Sequence, residues 1–464
     1  MDLRRKIYDQ MLQWKQKKER KALVIEGLRQ IGKSYIVNKF ASENYDVVYS
    51  FDFRQYETHR QAFRNNFSLD DFKESLFLLF KREFNDANAV LVFDEIGDCP
   101  DARAAIKYIL SETRFDIIAT GSLLGVKGFI NRESRSPSVG SNHYITMHPM
   151  DFEEFLWANN VSEAAIEKIK DAVKTYEPLD EMYHERFTTL FTHYILSGGM
   201  PEAVLTYLET HDFSKVIETN ANKLKDLQGD FGRVVDSEGR VRVNENLLTR
   251  TNEVFSSIIS QLAKNNAKFQ YSYIKKGGRA KEYEEAIVWL ENAGIVTKCV
   301  NLNDLALPLS GYAEDSTFKL YFSDIGLYVA KMGVEAASLI LNGSLDSYGG
   351  YVYEGVAADV LNKAGLKLYY SDNGKSEIDF VIQDDNKVSI LEVKMVKGNS
   401  KSAKAVIEGT ANRHAAKCYK ITAKNFSTGS YYFGLPHYAL PFLIEGIVKQ
   451  TSDSLTVSPG SFNL

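Results

Sequence analysis

A chain of 464 residues is longer than one hydrophobic core usually serves, so roughly two to four domains are expected. Apolar residues make up 44% and charged residues 25%, which excludes a disordered chain. The 56 basic and 61 acidic side chains leave a net charge of −5, which excludes a globally cationic nucleic-acid coat but not a local basic patch.

Residues 3–20 predict an amphipathic helix, with Ile7, Met11, Leu12 and Trp14 on one side and basic residues on the other. KALVIEG (21–27) is a continuous apolar run ending in Gly, typical of a strand buried in a parallel sheet. VVYSFDF (47–53), AVLVFDE (89–95) and FDIIATGS (115–122) predict further central strands, separated by helical patterns. Residues 1–150 are therefore expected to form a doubly wound α/β unit with a parallel sheet. Residues 151–235 turn helical and predict a connector. From 236 to 340, NENLLTRTNEVFSSIISQLAKN and KEYEEAIVWLENAGI predict two helices, and VTKCVNL and FKLYFSD a small hairpin. That order is winged-helix-like. Lys275, Lys276, Arg279 and Lys281 lie near its recognition helix, where they suit nucleic-acid phosphates; Glu282, Glu284 and Glu285 on the same helix suit a protein partner equally well. The last unit, 341–464, is predicted to hold a helix over 350–365, the strand LKLYYS, a hairpin over 375–394, a helix around 401–413 and the strand KCYKITA. The expected seams are 236–240 and 341–350.

Cys99, Cys299 and Cys418 stand far apart with no CxxC pair, which suits reduced structural thiols without zinc. The first residues carry no apolar leader, and no apolar run nears the ~20 residues of a membrane span. A soluble, cytoplasmic protein with no membrane partner is expected.

The first strand runs straight into Gly27-Leu28-Arg29-Gln30-Ile31-Gly32-Lys33-Ser34, a G-x-x-x-x-G-K-[ST] loop followed by a helical pattern. The glycines let backbone N–H groups wrap phosphates at a helix N-terminus. Lys33 is expected to reach the β- and γ-phosphates of ATP, and Ser34 its Mg²⁺. AVLVFDE ends in Asp94-Glu95 at the sheet edge where ligands of such folds bind. There Asp94 would hold Mg²⁺ through water, and Glu95 would orient or deprotonate the attacking water. Thr120 and Ser122 end another strand at that edge, where a hydroxyl could sense the γ-phosphate. Arg103, Arg132 and Arg135 are candidates for an arginine finger, although a solvated charge is the commoner fate of each.

Together with PMDFEEFLWA (149–158), these motifs resemble the bacterial and archaeal AAA-type P-loop ATPases that carry a C-terminal domain of unassigned function. The family pattern is a G-x-R-x-x-G-K-[ST] loop, a terminal acidic pair, a T-G-S strand end and a P-[LM]-x-F-x-E-F-L segment. Gly27–Ser34, Asp94-Glu95, Thr120–Ser122 and Pro149–Leu156 match it, and SGGMPEAV (197–204) and FSDIGLYVA (322–330) resemble its middle region. The resemblance implies a Mg²⁺-dependent ATPase and leaves open a homo-oligomer. Where many members place an Arg after the Gly preceding the P-[LM]-x-F segment, Gly140 is followed by Ser141 and Asn142.

In the hairpin, a two-residue turn at Asp385-Asn386, both tolerant of positive φ, sets Asp384 opposite Lys387 and Asp379 opposite Glu392, with Lys394 on the same face. Opposed carboxylates repel, so either Lys394 or a divalent cation must neutralise them, and Mg²⁺ or Mn²⁺ suits their oxygens. The spacing resembles the restriction-endonuclease-like PD-(D/E)xK site. That resemblance implies Asp379 and Glu392 as metal ligands, Lys394 activating water, and Glu354 as a supporting acid from the preceding helix. An ionic triad without chemistry is the plainer reading. Two functions stay open: ATP turnover coupled to binding or processing of DNA or RNA, or an ATP-gated protein-interaction switch whose last domain is an inactive scaffold.

Overall fold

Five strands form the N-terminal sheet: β1 (Ala22–Gly27), β2 (Val47–Asp52), β3 (Ala89–Asp94), β4 (Asp116–Ser122) and β5 (Asn142–Met147), ordered β2-β3-β4-β1-β5 and all parallel. These coordinates are a computed structural model, which describes every residue except 1, 18, 65–67, 123–139, 236–240, 265–266, 345–348, 375, 396–400, 410–413 and 455–464. Alternation along β1 sends Leu23 and Ile25 to one face and Ala22 and Val24 to the other. The first face packs on the helices Ile7–Gln16 and Lys33–Asn44, the second on Leu69–Phe80 and Pro100–Glu112. β5 has no sequence signal because it is a half-buried edge strand rather than an apolar run. Its Met147 carbonyl presses on Gly27, where a Cβ would lie 2.2 Å from that oxygen.

After β5 the chain is helical over Phe152–Ala158, Glu163–Thr175, Glu181–Ser197, Pro201–Thr210 and Phe213–Gln228. Asp151 and Glu154 start the first of these with a reciprocal capping box. A short antiparallel pair follows, β6 (Arg233–Val235) with β7 (Val241–Val243). The helices Glu245–Leu262, Tyr271–Ile274 and Ala280–Asn292 then lead into β8 (Val296–Leu302) and β9 (Ala313–Phe322), an antiparallel hairpin.

That hairpin does not stop at a domain seam. β8 pairs in parallel with β10 (Leu368–Asp372), setting Leu368 beside Cys299. The two sides of position 340, expected in separate units, thus share one sheet with β11 (Glu377–Asp384), β12 (Lys387–Val393), β13 (Lys417–Thr422), β14 (Ser427–Thr428) and β15 (Phe433–Pro436). Its order is β14-β15-β13-β12-β11-β10-β8-β9. An alternating hairpin cannot reveal which sheet its free edge will join.

A single apolar core runs from Leu3 through the helical region to the last described helix, Leu440–Ser454. Within it the Lys363 side chain is 4% exposed and donates to the Met150 carbonyl (3.1 Å), Tyr194 Oη (2.8 Å), Asp359 Oδ2 (3.0 Å) and Asp324 Oδ2 (3.3 Å). Asp324 Oδ2 also accepts from the Gly199 N–H at 2.8 Å. This ionic knot ties the segment after the P-loop sheet, the glycine pair 198–199 and the helix Gly349–Lys363 to one another. Among the described residues no helix is long and apolar enough to cross a membrane, and all three cysteines are buried free thiols.

Candidate active site

Left-handed backbone at Gln30 (φ 64°) and Gly32 (φ 88°) turns the loop after β1 back onto the helix Lys33–Asn44. Lys33 sits at the first turn and is buried, its Nζ donating to the carbonyls of Gly27 (3.1 Å) and Leu28 (2.8 Å). Burial draws its pKa down to about 8, against the pull of Glu95 and Asp94.

The acidic pair ends β3 beside it. Asp94 Oδ1 accepts from Ser34 Oγ at 2.8 Å and from the Thr120 hydroxyl. Thr120 Oγ1 also accepts from the Glu95 N–H at 3.2 Å, so one hydroxyl fixes both members of the pair. Glu95 itself is left-handed (φ 53°), and burial raises its carboxyl, opposed by Lys33 and Arg29. Ser122 stands next to Gly27 in the β1–β4 register and is buried. Lys33, Ser34, Asp94, Glu95 and Thr120 are thereby gathered at one sheet edge, with Ser122 alongside. Ser34 and Asp94 supply hard oxygens side by side, which suits Mg²⁺ carried in with phosphates. Arg103 is buried in the helix Pro100–Glu112; Arg132 and Arg135 lie outside the described residues.

Two groups from the helical region reach the loop, and no sequence pattern flagged them. Arg29 pairs with Asp230, 201 residues away, and Asp230 Oδ1 also holds Arg233 at 2.7 Å. Gln30 Nε2 donates to Asp226 Oδ2 at 3.0 Å.

The C-terminal cluster gathers around the β11–β12 hairpin. The turn spans Asp385-Asn386 with Asp384 opposite Lys387, but only Asp385 takes a positive φ (57°). Asp379 Oδ2 accepts from the Val393 N–H (2.7 Å) and from Lys394 Nζ (3.0 Å), which also lies 3.1 Å from Glu392 Oε2. Burial first, then Asp379, push Glu392 up to about 7. Glu354 accepts from Tyr321 Oη at 3.1 Å and lies 3.4 Å from Lys319, whose Nζ reaches Glu377 Oε1 at 2.7 Å. Lys319 and Glu377 escaped the sequence reading, although a lone lysine in the apolar strand FKLYF and an acid two places before Asp379 were visible signals. The expected metal ligands do not form a ligand set as they stand. Lys394 lies between Asp379 and Glu392, and among the described residues no three His, Cys, Asp or Glu side chains are grouped to hold an ion.

Lys275, Lys276, Arg279 and Lys281 are all exposed, from the end of the helix Tyr271–Ile274 to the start of Ala280–Asn292.

Comparison with known proteins divides the chain in three. Residues 19–156 match an AAA domain family, residues 188–338 a domain of unknown function (DUF8612), and residues 349–438 another domain of unknown function (DUF4143). No curated protein matches the chain. Among solved structures, the Walker-type ATPase paby2304 of Pyrococcus abyssi is similar at 13% identity over 71% of this chain and 96% of its own, with a TM-score of 0.44. The ORC1 protein of Aeropyrum pernix, solved in complex with DNA, is similar at 13% identity over 74% and 95%, with a TM-score of 0.30. The ORC2 protein of the same organism, in ADPNP–ADP complexes, is similar at 9% identity over 73% and 92%, with a TM-score of 0.33. Likenesses this distant carry no functional argument. The restriction-endonuclease-like resemblance of the last region gains no support from its match. The first match encloses Gly27–Ser34, Asp94-Glu95 and Thr120–Ser122, so this site lies in the region that matches an AAA domain.

Proposed function

We propose that this protein is a Mg²⁺-dependent ATPase that uses Lys33, Ser34, Asp94 and Glu95 for hydrolysis and passes its nucleotide state to the C-terminal sheet. One observation carries the reading: Ser34, Asp94 and Thr120 form a single hydrogen-bonded chain beside a buried lysine with a depressed pKa. The backbone N–H groups of Gly27–Ser34 bind the phosphates, and Lys33 charges fully as it meets them. Mg²⁺, held by Ser34 and Asp94, neutralises charge on the phosphate oxygens when it is bound. Glu95, its carboxyl raised by burial, orients the attacking water and accepts its proton. Thr120 positions both acids. Ser122 lies at the same edge, within reach of the terminal phosphate.

Of the two outputs, the protein-interaction switch is favoured by Lys319 and Lys394, which already bridge the acids of the C-terminal cluster. Nucleic-acid processing is favoured by the charge count there. Among the described residues Glu354, Glu377, Asp379 and Glu392 are bridged by two lysines, and burial first, then Asp379, raise the Glu392 carboxyl. Exposed Lys275, Lys276, Arg279 and Lys281 would supply phosphate contacts.

Phosphate release by the full chain, with and without DNA or RNA, tests both levels. Release that requires Mg²⁺ supports the ATPase, and no release under any condition refutes it. Stimulation by nucleic acid, with Mn²⁺-supported cleavage that Asp379→Ala abolishes, selects processing. Indifference to nucleic acid and no cleavage select the switch.

A further inference from the structure

The loop that carries Lys33 is gripped from outside its own domain. Asp230 divides its carboxylate, one oxygen to Arg29 in the loop and the other to Arg233 at 2.7 Å. One turn earlier, Asp226 Oδ2 takes the Gln30 amide at 3.0 Å. Both acids come from the C-terminal end of the helix Phe213–Gln228 and the residues just after it.

This end of the helix is firmly seated. Phe231 is buried with its ring edge-on to Phe255 (5.3 Å) and Trp289 (5.4 Å). Trp289 Nε1 donates to the Arg233 carbonyl at 3.0 Å. Gly232 makes the turn between them at φ 73°, so close to the helix Glu245–Leu262 that a Cβ would lie 2.8 Å from the Leu248 nitrogen. The space left among Arg29, Ser122, Leu227, Asp230, Arg233 and Trp289 is a cavity of about 40 Å³, room for water and not for a nucleotide base.

The acceptors around the loop therefore belong to the protein itself. Lys33 donates to loop carbonyls and Arg29 to Asp230. A triphosphate bound by this loop would bring several negative charges to the Arg29 guanidinium that Asp230 already holds. Like charges gathered there repel, and Arg29 cannot satisfy both partners bidentately.

We propose that Asp230, assisted by Asp226, is a clamp that competes with the nucleotide's phosphates for the P-loop, releasing Arg29 when the triphosphate binds. This rests on the reading of residues 27–34 as a phosphate site and names how that site is regulated. Asp230 is a positioning residue, since it acts through Arg29. On release Arg29 turns to the phosphates while Arg233 keeps its hold on Asp230. The seated end of the helix Phe213–Gln228 then loses its ionic tie to the loop, so the loop is what shifts against it. That helix packs on Ile325–Met332 and Pro201–Thr210, so the swap reports the charge of the bound nucleotide to the middle of the molecule.

The test is a fluorescence titration of the full chain with ATP, ADP and AMP, for wild type, Asp230→Asn and Asp230→Glu. Removing a partly exposed ion pair that opposes binding should lower the Kd for ATP about fivefold in Asp230→Asn. The gain should be smaller for ADP and absent for AMP, while Asp230→Glu stays near wild type. Asp226→Asn should give a smaller gain in the same order. A misfolded variant loses affinity, so a gain that follows the number of phosphates cannot come from damage. Unchanged or weaker ATP binding in Asp230→Asn, beside a wild type that binds, overturns the clamp and leaves the phosphate site standing. A wild type that binds no ATP overturns the phosphate site, and the clamp falls with it.

Discussion

Lys33 in the P-loop and Lys319 in β9 are both buried ammoniums, yet their surroundings move them in opposite directions. Lys33 meets carbonyl oxygens at 3.1 and 2.8 Å, and burial draws it down to about 8. Burial also works against the charge of Lys319, but Glu354 and Glu377 outweigh it and hold this lysine well above its ordinary range. The second lysine touches its counter-charges directly, whereas Lys33 has Glu95 and Asp94 near it but donates to carbonyl oxygens. A lysine with no counter-charge in direct contact is ready for a ligand that brings one, and a triphosphate does. A site already paired is a structural tie first, and whatever chemistry it supports must displace a lysine.

That contrast can be broken at several points. The largest expected effect is on turnover. Glu95→Gln should lower kcat by about 10²- to 10⁴-fold while ATP still binds, measured by steady-state phosphate release beside a fluorescence titration. Loss of binding together with turnover would mean that Glu95 supports the loop and not the water. Next comes stability. Lys319→Met should destabilise the fold by about 1–3 kcal/mol in urea unfolding, because it leaves the half-buried Glu354 and Glu377 without their buried cation. Lys33→Met should leave stability near wild type or raise it, since the charged form of Lys33 is already disfavoured by burial. Equal losses in the two variants would erase the distinction.

The smallest effect is on pH dependence. Bound phosphates raise the Lys33 pKa above its free value of about 8, so binding takes up a proton at high pH. ATP affinity should therefore be complete below about 8 and fall as pH rises past it, by at most about tenfold per unit. Lys33→Arg, which stays charged, should remove that fall. A wild-type Kd that is flat from pH 7 to 10 would show that the ammonium is not titrating at this site.

The P-loop was legible because its parts are contiguous, Gly27 to Ser34, and because a strand end fixes where Asp94 and Thr120 must sit. The β11–β12 register was legible for a similar reason: a two-residue turn leaves one pairing, and Asp384 opposite Lys387 follows. What stayed hidden came from far along the chain or from a misjudged edge. Asp230 lies 201 residues from Arg29, and nothing about a lone acid after a helix announces its partner. Lys319 looked like part of a separate wing because strand alternation does not say that β8 pairs with β10. β5 escaped because an edge strand with half-buried residues lacks the apolar run that marked β1, β3 and β4. The ionic knot around Lys363 was invisible for the first reason: Asp359 is one turn away in the same helix, but Met150, Tyr194 and Asp324 lie far along the chain.

The proposed function rests on ATP binding by the loop from Gly27 to Ser34 and its hydrolysis at Asp94 and Glu95. Phosphate release from ATP by wild type and Lys33→Ala, with Mg²⁺ present or chelated, tests it most directly. Turnover is expected only from wild type with Mg²⁺, with Lys33→Ala folded but inactive. Hydrolysis by Lys33→Ala at the wild-type rate would contradict the account.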